Sequence, residues 1–532
     1  MTRRQNSDLE KMLLLEQAAR PAQREMLRLG LALLFVVGII LYITMRGGQF
    51  SYALLVAAII GGYMAMNIGA NDVANNVGPA VGSKTLSMAG AIAIAAIFEA
   101  AGALIAGGDV VGTIKSGIIN PAAIADPNVF VWLMIGALLA GAVWLNIATF
   151  IGAPVSTTHS IVGGVLGAGV AAGGWGVANW GTMAGISASW VISPVLGGGI
   201  AALFLYVIKR TVTYKADMRE AAVRVVPWLL AFMAWSFTTY LCLKGLNKLV
   251  KISFFGAALV GLVVAALIFL STRPMVARVA LQAENSKQTV NRLFNVPLVF
   301  AAALLSFAHG ANDVANAVGP LAAINQVVEQ GVIAGKAGIP VWVMVIGAVG
   351  ISLGLALYGP KLIKTVGSEI TELDQLRAFC IAMSAAITVI VASQLGLPVS
   401  STHIAIGAVF GVGFLREYIK SHYGQMIATI EDHHRGADHA EVEAYLERFD
   451  AASIEEKGQM LAELKASRES MNPTQPPGLT KSERKGLKSM YRQELVKRSS
   501  FKRIIAAWLI TVPISGLLGA MFFFTIRGMM LP

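Results

Sequence analysis

The chain has 532 residues, of which 56% are hydrophobic and 14% charged. Soluble domains carry about 25% charged residues, so this composition excludes a disordered chain and an ordinary soluble enzyme. The net charge of +12, in so apolar a chain, belongs in cytoplasmic loops rather than on nucleic acid, and two isolated cysteines, Cys242 and Cys380, exclude a disulfide framework or a thiolate metal site.

Residues 1–28 are mixed in charge and predict a cytoplasmic amphipathic segment. No small-residue cleavage site follows a short apolar core, so no removable signal peptide is expected. Apolar stretches near the ~20 residues that a bilayer helix needs then recur. They lie at 29–45, 51–68, 88–107, 129–150, 152–170, 180–208, 226–243, 252–271, 294–312, 340–358, 376–393, 397–415 and 503–526. The stretches 152–170 and 397–415 open on Pro and polar residues and are rich in Gly, which predicts broken or hairpin elements. Between 416 and 502 charge of both signs returns, predicting a soluble, mostly helical cytoplasmic insert that ends in the basic run KSERKGLKSMYRQELVKR. His433, His434 and His439 fall in that insert, where solvated polar turns are normal and no metal site is expected. The expected fold is an all-α polytopic membrane protein. It has about twelve core transmembrane segments, an extra N-terminal helix at 29–45, and the insert.

Orientation follows from Lys and Arg. Lys209, Arg210, Lys215, Arg219 and Arg224 lie in one loop, and Arg273, Arg278, Lys287 and Arg292 in another. Placing these loops and the insert inside puts the N-terminus inside and the C-terminus outside. Lys244, Lys248 and Lys251 then fall outside, in smaller number.

The chain repeats itself. GANDVANNVGP at 69–79 recurs as GANDVANAVGP at 310–320, and PVSTTH at 154–159 as PVSSTH at 398–403. Asp72 lies 87 residues before His159, and Asp313 lies 90 before His403. Gly163, Gly167 and Gly169 match Gly407, Gly411 and Gly413. The repeats are assigned to 51–208 and to 294–415 plus 503–526, with linking helices and basic loops at 209–293. With the orientation above they are inverted, the architecture of secondary transporters.

Asp72 and Asp313 each follow an apolar span, where a carboxylate costs about 2.5–3.5 kcal/mol and is functional by default. With Asn71, Asn75, Asn312 and Asn316 they form sets of hard oxygen ligands suited to a hard cation. The Gly and Ala neighbours allow the backbone to unwind and turn its carbonyls inward. In PVS[ST]TH, Pro stops one helix, and Ser and Thr start the next. Free N–H groups, a positive dipole end and hydroxyls at such a start suit an oxyanion. The candidates are Ser156, Thr157, Thr158, Ser400, Ser401 and Thr402. Ordinary N-capping accounts for one hydroxyl per helix, not three in each copy. His159 and His403 close the motifs, as structural donors or as coupling or gating groups. Glu99 is an intramembrane acid, available for a cation, a proton or a buried partner. Aligning Gly102 with Gly354 puts Ile351 opposite Glu99, and His309 has Ile68 as its counterpart, so both residues break the symmetry. No nucleotide-binding, zinc-hydrolase or nucleophile-elbow motif is present, so an ATP-driven pump and a membrane-bound enzyme are unsupported.

The paired motifs GANDVANNVGP with PVSTTH, and GANDVANAVGP with PVSSTH, resemble the inorganic phosphate transporter (PiT) family across roughly residues 50–415 plus the last helix. The resemblance implies a symporter with inverted repeats and two helical hairpins. It implies that the two aspartates and their Asn neighbours help bind sodium, that the hairpin Ser and Thr residues bind phosphate, and that the protein is a homodimer. The helix at 29–45 and the late insert depart from the family pattern. The expected protein is thus a cation-coupled importer of inorganic phosphate in a bacterial cytoplasmic membrane. It has no cofactor beyond sodium as coupling ion, and its partners are phosphate, sodium or protons, and lipid. Sulfate as cargo, protons as coupling ion through Glu99 or a histidine (with phosphate or a metal-phosphate complex as cargo), and an anion channel are the alternatives.

Overall fold

A computed structural model describes residues 3–46, 51–153, 155–248, 250–331, 338–368, 373–433, 448 and 498–530. The helices are α1 (Arg3–Met45), α2 (Tyr52–Asn71), α3 (Val73–Gly82), α4 (Met88–Ala106), α5 (Gly108–Ser116), α6 (Pro127–Ile151), α7 (Thr157–Gly173), α8 (Trp180–Ile208), α9 (Met218–Lys244), α10 (Phe254–Leu281) and α11 (Lys287–Leu293). They continue as α12 (Asn295–Asp313), α13 (Ala315–Gln330), α14 (Val341–Tyr358), α15 (Pro360–Ser368), α16 (Gln375–Gln394), α17 (Ser401–His433) and α18 (Arg498–Met530). Among the described residues eleven helices or helix pairs are long and apolar enough to cross a membrane. The protein is an integral, multi-pass, all-helical membrane protein.

Caps fix where many of these helices begin and end. Ser51, Ser87 and Asp126 accept from the first-turn N–H groups of α2, α4 and α6, and Pro127 follows Asp126 at the first helical position. Gly152 ends α6 at φ +77°, a left-handed conformation that glycine adopts without Cβ strain. Gly396 turns the chain after α16 in the same way, at φ +65°. Each turn sends the chain back along the helix it has left, so α6 packs on α7 and α16 on α17 as hairpins.

The helices pair by exchange. α2 packs on α14 and α12 on α4; α7 packs on α18 and α17 on α8; α3 packs on α15 and α13 on α5. Each pairing has its mate when the first-repeat helices α2–α8 are swapped for α12–α18, the signature of a pseudo-twofold axis. The closest approaches obey the same rule. A Cβ on Gly102 would lie 2.0 Å from the Phe307 carbonyl oxygen, and one on Gly354 would lie 1.9 Å from that of Met66. Phe307 and Met66 are equivalent positions, so only glycine lets these backbones touch in either half. α9 and α10 form a separate hairpin between the repeats, and Trp228, Phe255, Leu262 and Leu270 on it are largely exposed, as a lipid-facing surface would be.

Three expectations change. The described part of the N-terminal segment, from Arg3, and the stretch 29–45 form one helix, α1, rather than a segment followed by a span. The chain barely unwinds at the GAND motifs: Asp72 alone separates α2 from α3, with φ −85° and ψ −38°, and Val314 alone separates α12 from α13. Both residues stay in the right-handed region, and Asp72 N still donates to Ile68 O at 2.9 Å. Helical conformation also runs past the expected edges of the insert, to His433 and back to Arg498. His434, His439 and most of the basic run lie outside the described residues.

Candidate functional site

The breaks at Asp72 and Val314 meet the starts of α7 and α17 in the interior. Asp72, Asn75, Asp313, Asn316, Thr157, Thr158, Ser401 and Thr402 are each no more than 1% exposed. Thr157 Oγ1 donates to Asp72 Oδ2 at 2.6 Å and lies 3.4 Å from Asp313 Oδ2, so one hydroxyl bridges the two carboxylates. Thr402 Oγ1 donates to Asp72 Oδ1 at 2.7 Å, and Ser401 Oγ to Asp313 Oδ2 at 3.0 Å. The asparagine amides close the ring. Asn75 Nδ2 donates to Thr402 Oγ1 at 2.9 Å, and Asn316 Nδ2 donates to Thr157 and Thr158 Oγ1, each at 3.1 Å. Thr158 Oγ1 itself donates to Val399 O at 2.9 Å. Eight of the twelve residues expected to hold a cation or an anion therefore form one interlocked cluster.

Several oxygens in and beside this cluster lack a donor. Asn75 Oδ1, Asn312 Oδ1, Asp313 Oδ1 and Asn316 Oδ1 are buried and meet no hydrogen-bond donor among the described residues. Buried polar atoms are nearly always paired. Acceptors without donors, beside two facing carboxylates, form an environment that a cation stabilises and a bare anion does not.

Ser156 and Ser400 do what N-caps do. Ser156 Oγ accepts from His159 N at 3.1 Å and Ser400 Oγ from His403 N at 3.2 Å. Asn71 and Asn312 face the hairpin turns. Asn71 Nδ2 donates to Thr149 Oγ1 at 3.0 Å and to Ala153 O at 3.3 Å, while its Oδ1 accepts from Val155 N at 3.2 Å. Asn312 Nδ2 donates to Ser393 Oγ at 2.9 Å and Leu397 O at 3.2 Å. These two amides bracket each helix break to its hairpin, and Asn71 is engaged at both ends.

Glu99 and His309 find each other. His309 Nδ1 lies 2.7 Å from Glu99 Oε2, and His309 Nε2 lies 3.0 Å from Asp313 Oδ2, with all three side chains fully buried. Asn76 Nδ2 donates to Glu99 Oε1 at 2.7 Å. Sequence reasoning passes over Asn76, although it is the one position at which the two GAND motifs differ, with Ala317 as its counterpart.

A model of the phosphate transporter family matches residues 68–519. The chain belongs to the phosphate transporter family. It is 56% identical over 519 residues to a protein of Helicobacter pylori strain J99 named as a putative phosphate permease, covering 96% of each chain. A protein of the same name from Pyrococcus abyssi is 42% identical over 365 residues, 68% of this chain and 89% of that one. Among solved structures, one described as the sodium-dependent phosphate transporter superposes with a TM-score of 0.73 at 30% identity. The match covers 90% of this chain and all of that one. The protein is thus a transporter and not an enzyme.

In this transporter His159 and His403 take no part in the carboxylate cluster. Their ring centroids lie 4.3 Å apart, edge to face. His159 packs on Trp190 of α8 at 3.8 Å, and His403 stacks on Trp508 of α18 at 3.7 Å. The two hairpin starts therefore abut through an aromatic tetrad. The two Trp residues carry little sequence signal, since each is one aromatic in an apolar span.

Proposed function

We propose that this phosphate transporter is a sodium-coupled symporter that imports inorganic phosphate by alternating access. The supporting observation is the pair of buried carboxylates, Asp72 and Asp313, bridged by Thr157 and surrounded by acceptor oxygens without donors. Two carboxylates and an entering phosphate would put like charges together in a buried space. Sodium bound at Asp72 and Asp313, with Asn75 and Asn316 as further oxygen ligands, removes that repulsion. It also frees Thr157, Ser401 and Thr402, whose hydroxyls now donate to the carboxylates, to donate to phosphate at the starts of α7 and α17. Cation and anion then bind with positive coupling. Rocking of one repeat set against the other exposes the site alternately to each side. Asn71 and Asn312 keep each break registered with its hairpin, and Ser156 and Ser400 hold the helix starts in shape.

The protein is placed in a bacterial cytoplasmic membrane as a homodimer, with the basic loops, the insert and the N-terminus inside. The experiment is labelled phosphate uptake into liposomes holding the purified protein, under an inward sodium gradient, an inward proton gradient, and neither. Excess sulfate serves as competitor. Sodium-driven accumulation that sulfate leaves intact supports the reading. Uptake driven by protons without sodium, transport of sulfate alone, or purely downhill flux would each overturn a named part of it.

A further inference from the structure

Lys115 lies in the last turn of α5, and the chain just after it is tied to the start of α8. Ile119 bridges Ala178, Asn179 N donates to Ile118 O at 2.9 Å, and Asn120 N donates to Val177 O at 2.8 Å. The far end of α8 runs into the basic loop at Lys209. Lys115 therefore sits at the opposite face of the protein, the outer one in the orientation proposed above. Two acidic groups of that face are already paired, Asp109 with Lys244 and Glu329 with Arg46. Lys115 is 5% exposed and has no hydrogen bond or ion pair among the described residues. A lysine in the last turn complements the helix dipole, and one at a membrane edge snorkels, but snorkelling leaves the charged head in water. A buried ammonium without a partner is costly unless an anion joins it.

The surroundings suit such an anion. Lys115 and Gln326 line a narrow, partly open cavity with Phe130 and Ala323. It has room for one water-sized group, so one oxygen of an oxyanion enters while the rest stays at the mouth. Gln326 Nε2 donates one hydrogen to Gln330 Oε1 at 3.3 Å and has a second to give. Phe130 lies in the first turn of α6, which brings a positive helix end to the same place. Asp126 caps that helix, but its side chain is exposed and accepts from Asn128 N. The cavity is also aligned with the carboxylate cluster. Asn316, Gly319, Ala323 and Gln326 recur every three or four residues along α13 and share one face. Gln326 is thus about 15 Å along the helix from Asn316. Between them a Cβ on Gly319 would lie 2.7 Å from Ile114 of α5, so the cavity and the hairpin starts are separate places.

We propose that Lys115, with Gln326, forms an outer site that takes phosphate from the medium before it reaches the starts of α7 and α17. The inference rests on phosphate being the cargo and not on the identity of the coupling ion. A collecting site raises phosphate occupancy at the mouth of the path, so its loss raises KM and spares the maximal rate.

The test is labelled phosphate uptake by the full chain carrying Lys115→Gln, Lys115→Arg or Lys115→Cys. Lys115→Gln should raise the KM for phosphate about tenfold, with the maximal rate and half-saturating sodium near those of the parent. Lys115→Arg should keep most of the affinity. Lys115→Cys should behave as Lys115→Gln until aminoethyl methanethiosulfonate restores the positive charge, and then recover. That comparison is made within one folded protein, so it holds even if Lys115→Gln misfolds. Cys242 and Cys380 are buried, and the parent chain is the labelling control. In sodium-free detergent, phosphate should slow the labelling of Lys115→Cys at least threefold, a readout that needs no transport. An unchanged KM, a fall in maximal rate alone, no rescue by restored charge, or no protection by phosphate overturns the site. Absent phosphate uptake in the parent chain, with that protection intact, would instead overturn the transport reading.

Discussion

Asp72→Asn isolates charge from shape. The carboxylate accepts from Thr157 on Oδ2 and from Thr402 on Oδ1, at 2.6 and 2.7 Å. An asparagine keeps one acceptor, replaces the other with a donor, and brings no charge to a bound sodium. A hydrogen bond or contact to a charged group contributes about 1.5–3 kcal/mol. At 1.36 kcal/mol per tenfold, the variant should bind sodium about 10–150-fold more weakly. Stability should move the other way. Asp72 and Asp313 share the Thr157 hydroxyl in a fully buried space, and removing one of two facing carboxylates relieves repulsion. In sodium-free detergent D72N should therefore melt no lower than the parent chain, while sodium should raise its Tm much less. The assays are the sodium dependence of labelled phosphate uptake and of Tm. A folded D72N whose half-saturating sodium stays within threefold of the parent would refute the reasoning.

Thr402→Val removes both the donor to Asp72 and the acceptor for Asn75, so uptake should fall by about 10–100-fold, with Thr402→Ser recovering most of it. Asn71→Ala frees the first hairpin turn from Thr149, Ala153 and Val155 at about 1 kcal/mol per lost bond, and limited proteolysis after residue 151 should speed up. Gly354→Ala drives a Cβ into the Met66 carbonyl and should cost about 3 kcal/mol or more, seen as loss of monodisperse protein. Gly199→Ala meets nothing within 4 Å and should raise Tm slightly. Asp217 caps α9, and the N–H of Glu220, then the Arg219 side chain, hold its carboxyl below the usual range. Its stabilising effect is complete above the unfolded-state value of about 3.9 and fades as pH falls through the lower folded value. Asp217→Asn should remove that part of the acid sensitivity of Tm.

The apolar spans and the two motif pairs are legible because each rests on a local property: hydropathy over about 20 residues, or a short string repeated in order. Those strings alone single out Asp72, Asp313, Thr157, Ser401 and Thr402, whose side chains interlock in the folded protein. The short helices α3, α5, α11, α13 and α15 are not legible, since seven to sixteen residues of mixed polarity carry no span signal. The exchange of α8 onto α17 and of α18 onto α7 is equally hidden, because hydropathy says nothing about which apolar face meets which. Unwinding at GAND is overestimated from sequence for a physical reason. The glycines that permit a break are used instead for close backbone approach, Gly69 against Ile351 and Gly310 against Glu99.

The departures from symmetry carry a separate argument. A pseudo-twofold pair of sites built from identical motifs would bind two equal ions and answer both sides of the membrane alike. Glu99 and His309 stand against Ile351 and Ile68, and they are 210 residues apart in sequence. No pattern within one segment could join them; yet each is visible as the residue its counterpart fails to match. Two polar exceptions in otherwise equivalent apolar spans are costly one at a time and tolerable only in contact. Paired exceptions to an internal repeat are therefore predicted neighbours. Here that pairing sets an imidazole, and through it a third carboxylate, beside Asp313, while Asp72 accepts from the hydroxyls of Thr157 and Thr402, so the two aspartates are not equivalent in their surroundings. D72N and D313N should accordingly shift sodium dependence by different factors, and equal shifts would show that the Glu99–His309 pair is packing and nothing more.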